Sequence, residues 1–148
     1  MPRVRRILVA SDFSKASGRA FTTALTLAKA NRATLTILHV IVPFTPIVPE
    51  QYINTQTWDQ IDLEARRWSR QQLAKLTEKA RKAGIRVVSL LLEGDPAGLI
   101  TRTARSKRAD LLVLGTHGRT GLTKFFVGSV AGRVIATATC PVVTVRSA

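Results

Sequence analysis

"DLLVLGTHGRTGLTKFFVGSV", residues 110–130, decides the fold. Leu111 to Leu114 form a short apolar run that stops at Gly115. A run of this length closed by a turn residue suits a strand buried on both faces, as in a parallel sheet. Four of the nine glycines then fall within residues 114–130, ahead of a stretch with helical spacing from about Ser129 to Thr137.

Working outward, the same kind of run recurs at "VRRILVA", "ATLTILHVIV", "IRVVSLLLEG" and "PVVTVR", and helical patterns lie between. Ala20, Phe21, Ala24, Leu25 and Ala28 share one face of a helix expected from about Lys15 to Ala30, with Ser14 placed to cap it and Asn31 to stop it. From about Asp59 to Ala83, Ile61, Ala65, Trp68, Leu76 and Ala80 make a stripe, with Asp62–Arg66 and Glu78–Lys82 as i,i+4 pairs and Gly84 as the stop. "GDPAGLITRTARSKR" opens with Asp95 as cap and Pro96 in the first turn, and closes on Lys107 and Arg108.

Strands alternating with helices imply right-handed crossovers. The expectation is an α/β fold: an open, doubly wound, five-stranded parallel sheet with helices on both faces. The exception is residues 43–58, whose three prolines argue against regular structure and whose Phe44, Ile47, Val48 and Tyr52 suggest a lid or partner surface.

The 148 residues suit one domain, 1–148, with no internal repeat. A lone cysteine, Cys140, excludes an internal disulfide and a multi-cysteine zinc site, and reads as a small apolar residue beside Pro141. The apolar run at Ile7 to Ala10 is too short for a signal-peptide core, and no run is long enough to span a membrane, so a cytoplasmic protein without membrane insertion is expected. Twenty-three Lys and Arg against nine Asp and Glu give a net charge of +14, which predicts weak, salt-sensitive polyanion binding. The basic run on the helix around residues 66–82 reads as a solvated face, since no nucleic-acid module accompanies it.

In an open α/β sheet the ligand lies beyond the carboxyl ends of the strands, where the winding reverses. Should the first and fourth strands be neighbours, Asp12 and the glycines Gly115 and Gly118 share one crevice. Those glycines allow positive φ and bare N–H groups, the makings of an anion nest, and Gly128 and Ser129 open a helix whose dipole favours the same anion. Phosphate is the expected guest, with Arg119 and Lys124 in the loop between. The spacing fits neither a P-loop nor G-x-G-x-x-G, and no acid follows Asp110 to hold a dinucleotide ribose. Asp12 is either a ligand group or a strand-end carboxylate capping the next turn. His117 either neighbours phosphate or shapes its loop; His39 reads as a satisfied core residue, and Trp58 and Trp68 as packing.

"ILVASDFS", "LHV", "GDPAGLI", "ADLLVLGTHGRTG" and "GSVAGRVIATATCPVVTVR" together resemble the universal stress protein family over essentially the whole chain. Gly115, Gly118, Gly128 and Ser129 match the G-x2-G-x9-G-[ST] of its ATP-binding branch. The resemblance implies strand order 3-2-1-4-5 and ATP, or another adenine nucleotide, with Mg2+ held mainly by the phosphates. It implies Ala10, Ser11, Asp12 and the Val40 backbone around adenine and ribose. Gly115, Thr116, His117, Gly118, Arg119, Gly128, Ser129, Val130 and Ala131 would hold ribose and phosphates. It also implies a homodimer through Pro141 to Val145. The chain departs from the family at Gly132, a position often acidic, and at Ser11, commonly Thr or Val. The role the resemblance implies is a dimeric stress-response regulatory or protective binding module, and since no carboxylate pair or Ser-His-Asp set accompanies Asp12, at most slow hydrolysis is expected. The alternatives are a slow ATPase or self-phosphorylating protein using Ser129 or a nearby hydroxyl, or a nucleotide-free chaperone-like or nucleic-acid-associated member.

Overall fold

The computed structural model describes residues 3–43, 49–52, 54–116 and 128–146. Five parallel strands are β1 (Arg6–Ala10), β2 (Thr34–Ile41), β3 (Val87–Glu93), β4 (Leu111–Gly115) and β5 (Val142–Val145), ordered 3-2-1-4-5. The helices are α1 (Lys15–Asn31), α2 (Thr55–Lys82), α3 (Pro96–Ser106) and α4 (Ser129–Thr137).

Strand β1 lies in the middle, with Ile7 opposite both Leu35 and Leu111, so its apolar run is covered on both edges and both faces. Alternating side chains then divide the core. Ile7 and Val9 join Phe21, Ala24 and Leu73 on one face, while Leu8 joins Ile100, Leu112 and Val134 on the other. The β1–β4 neighbourhood makes the carboxyl ends of these two strands the switch point, because the winding runs from β1 toward β2 and β3 and then back to β4 and β5.

The helix starts follow their caps. Ser14 accepts from Ser17 N–H, Asn54 from Gln56 N–H, and Asp95 from Gly98 N–H. Helix α1 runs through Asn31 and closes on Arg32 in the left-handed conformation, φ 53°.

Three expectations are corrected. Residues 43–58 contain regular structure: a 3₁₀ turn at Glu50–Tyr52, and the first turn of α2, which Asn54 caps and which begins at Thr55, four residues before the expected start at Asp59. The buried face of α2 is Ser69, Leu73 and Ala80, while Ile61, Ala65 and Trp68 are exposed. The 28-residue helix spans about 42 Å and the 7-residue β3 about 23 Å, so the first turns of α2 overhang the sheet. Finally, Glu78 pairs with Arg81 at 3.1 Å rather than with Lys82, while Asp62–Arg66 forms as expected at 2.9 Å. Phe44, Ile47 and Val48 lie outside the described residues.

Candidate functional site

A cleft of about 340 Å³ opens at the carboxyl ends of β1 and β4, the size of a small-molecule site. Ala10, Ser11, Asp12, Val40, Gly115 and Thr116 line it, as do Gly128, Ser129, Val130 and Ala131. The structure therefore brings together every expected site residue that it describes. His117, Gly118 and Arg119 lie outside the described residues.

The β1 side of the cleft is a turn held by short polar side chains. Buried Ser11 accepts at Oγ from Phe13 N–H at 3.1 Å and lies 3.2 Å from Ser17 Oγ, while Asp12 Oδ1 accepts from Ser14 N–H at 2.9 Å. Asp12 thus does cap the turn before α1, and it also borders the cleft. His39 Nδ1 lies 2.7 Å from Ser11 O, so the ring donates there, as befits a satisfied half-buried histidine. Phe13 takes a positive φ of 63°, uncommon for an aromatic residue, and its ring is clasped by His39 at 4.3 Å and, edge-on, by Trp68 at 5.4 Å.

The β4 side differs from its expected construction. Among the described glycines, the positive φ values belong to Gly84 and Gly94, so Gly115 needs no left-handed backbone. It is required by proximity: a Cβ there would stand 2.9 Å from the Ala16 carbonyl carbon. Nor are the amides at the strand end vacant. Thr116 N–H donates to Val145 O at 2.9 Å and Gly128 N–H to Thr116 O at 2.6 Å. That second bond fastens the start of α4 to the end of β4.

The donor array facing the cleft is accordingly the first turn of α4. Its cap, Gly128, supplies no side-chain acceptor, whereas α1, α2 and α3 each have one. The N–H groups of Ser129, Val130 and Ala131 carry the positive end of the helix dipole at the cleft wall. Arg133, one turn on, grips Asp95 through two 3.0 Å hydrogen bonds. Its guanidinium holds the Asp95 carboxyl below the usual carboxylate range.

The rest of the lining is largely apolar, with Leu38, Val40, Ile100 and Leu114. Sequence reasoning missed Ser17, Leu38, Val42, Pro96, Ile100 and Leu114. For Pro96 and Ile100 the signal was available: α3 starts where β3 ends, so its first turns had to lie at the same edge of the sheet. Cys140 packs with the α3/α4 side of the core, and burial, then the nearby Asp110 charge, push its thiol up. No helix among the described residues is long and apolar enough to cross a membrane.

Comparison with known proteins converges on one family. Residues 3–146 match the model of the universal stress protein family. The chain is 34% identical over 144 residues to a universal stress protein of Methanocaldococcus jannaschii, covering 96% of this chain and 82% of that one. It is 34% identical over 145 residues to another from Bacillus subtilis, covering 95% and 98%. The solved universal stress protein of Lactobacillus plantarum superposes with a TM-score of 0.76 at 28% identity, covering 99% of this chain and all of that one. A universal stress protein in complex with cAMP and one from Archaeoglobus fulgidus in complex with dAMP share the fold, with TM-scores of 0.71 and 0.66 at 23% identity. They cover 99% and 97% of this chain and 100% and 99% of their own. The chain belongs to the universal stress protein family.

Proposed function

We propose, with that membership as premise, that this universal stress protein binds an adenine nucleotide, ATP foremost, in the β1/β4 cleft and acts as a dimeric, cytoplasmic stress-response module. The observation that carries the reading is the first turn of α4, whose cap lacks a side-chain acceptor and which lines a cleft that is otherwise largely apolar. Phosphate suits the helix start and a purine the apolar lining. The cAMP and dAMP held by two structural neighbours support the ligand class.

In this reading Val40 and Ala10 flank the base, Ser11 and Asp12 face the ribose, and Ser129 to Ala131 meet the phosphates. His117, Gly118 and Arg119 complete the phosphate side. Asp12 is the one carboxylate in the described lining, which suits a magnesium ion carried mainly by phosphate oxygens and water. Among the described residues strand β5 is paired on its β4 side alone, and its half-exposed valines suit a second copy across Pro141 to Val145. Sedimentation should give a dimer at micromolar concentration; a monomer would remove that part of the reading.

Ser129→Asp is the direct test of the site. An acidic residue in the first turn favours the helix, so the fold should be kept, yet it places negative charge where the phosphates would sit. Calorimetric titration with ATP and magnesium should show affinity reduced at least about tenfold, the loss of one charge-assisted contact or more. Undiminished binding would reject the site.

A further inference from the structure

At the opposite end of the sheet lies a second hollow, of about 270 Å³, lined by Arg3, Arg5, Arg6, Arg32, Thr34 and Arg86 among others. The topology gathers these residues from three strand starts. Arg6 is level with Thr34, and Leu35 with Val87, which sets Arg86 beside Thr34. Main-chain bonds fix the arrangement: Thr34 N–H donates to Arg5 O and Leu35 N–H to Arg86 O, both at 2.8 Å. Arg32 is delivered by the left-handed turn that ends α1, and Ala33 N–H donates back to Ala28 O.

Five arginines line this hollow, and no ion pair among the described residues involves any of them. The acid at this end is Asp110, and one of its carboxylate oxygens already accepts the main-chain N–H groups of Arg5 and Arg6 at 2.9 Å each. Like charges so concentrated repel one another, and the planar donor forks of arginine match phosphate oxygens. None of the described lining residues is aromatic, so a nucleobase would find no stacking face here.

We infer that this hollow is a second anion site, distinct from the nucleotide cleft, and that it takes a chain of linked phosphates without bases, an oligophosphate. Inorganic tripolyphosphate is the probe. Arg5→Gln/Arg86→Gln removes two of the charges from exposed positions, and Arg67→Gln/Arg70→Gln removes two from the exposed face of α2 as the control for net charge.

The wild-type protein should bind one tripolyphosphate per chain. Its affinity should fall at least about tenfold in the Arg5/Arg86 variant and less than about twofold in the control. Tripolyphosphate should also raise the melting temperature of the wild type more than that of the Arg5/Arg86 variant, which checks the same point on protein known to be folded. Equal losses in both double variants would reduce the effect to net charge and overturn the site. A loss with Ser129→Asp and none with Arg5→Gln/Arg86→Gln would put the anion in the nucleotide cleft and overturn it equally. Tighter, arginine-dependent binding of oligothymidine or of phosphatidylserine vesicles than of tripolyphosphate would replace the proposed ligand by nucleic acid or a membrane surface.

Discussion

At Gly115 an alanine methyl would meet the backbone of Ala16, 2.9 Å from its carbonyl carbon and 3.1 Å from its oxygen. Neither atom can turn aside as a long side chain would. Gly115→Ala should therefore cost about 1–3 kcal/mol, read as a lower urea midpoint at unchanged m-value. The spacing of glycines in residues 115–128 located this position correctly, yet supplied the wrong reason, since which helix crosses a strand end is a tertiary fact no local pattern contains. Asp12 is the complementary case, where sequence left two roles open and the turn contact to Ser14 N–H is one of them. Asparagine keeps an acceptor for that bond and loses the charge. Asp12→Asn should melt within about a kcal/mol of the parent, a neutral swap in a satisfied turn. If the carboxylate also serves the nucleotide, the same variant shows weaker ATP binding in calorimetry; unchanged binding assigns Asp12 to the turn alone.

Among elements, α3 and α4 are joined by Asp95, which caps one helix and grips Arg133 of the other. Hydrogen bonds from Arg133 are the largest cause of the lowered Asp95 carboxyl. A carboxyl lowered on folding stabilises the fold above its unfolded-state value of about 4 and loses that contribution as pH falls through its folded value. Acid should thus loosen α4, and Arg133→Gln should flatten the fall of melting temperature below about pH 4. An identical acid profile in the variant would show the link to be idle.

Helix α2 shows where periodicity runs short. The helix itself was legible, but Ile61, Ala65 and Trp68 of the expected stripe are exposed, and the buried face includes Ser69, which hydropathy alone would never select. Trp68 lies edge-on against Phe13, on the turn that borders the β1/β4 cleft. In a Trp58→Phe background, Trp68 emission should shift when AMP is added; a silent spectrum would separate α2 from the site.

For the molecule as a whole, the parallel, doubly wound class followed from the alternation of elements, whereas the strand order, and with it the β1/β4 position of the cleft, rested on the family resemblance and is the order observed. The charge of +14 was equally plain, but not its placement, because Arg3 to Arg6, Arg32 and Arg86 are scattered in sequence and meet only through strand register. Retention on heparin should fall clearly between low and moderate salt, and should fall further in Arg5→Gln/Arg86→Gln than in the α2 control. Salt-independent retention would contradict an electrostatic origin. The middle position of β1 has a temporal consequence. Arg6 meets Asp110, 104 positions later, so the first strand of this sheet to be synthesised waits for the fourth before both its flanks are paired. Nascent chains that end ahead of Leu111 leave that flank open, and it is there that a stalled or truncated product would recruit chaperones or clump with its neighbours.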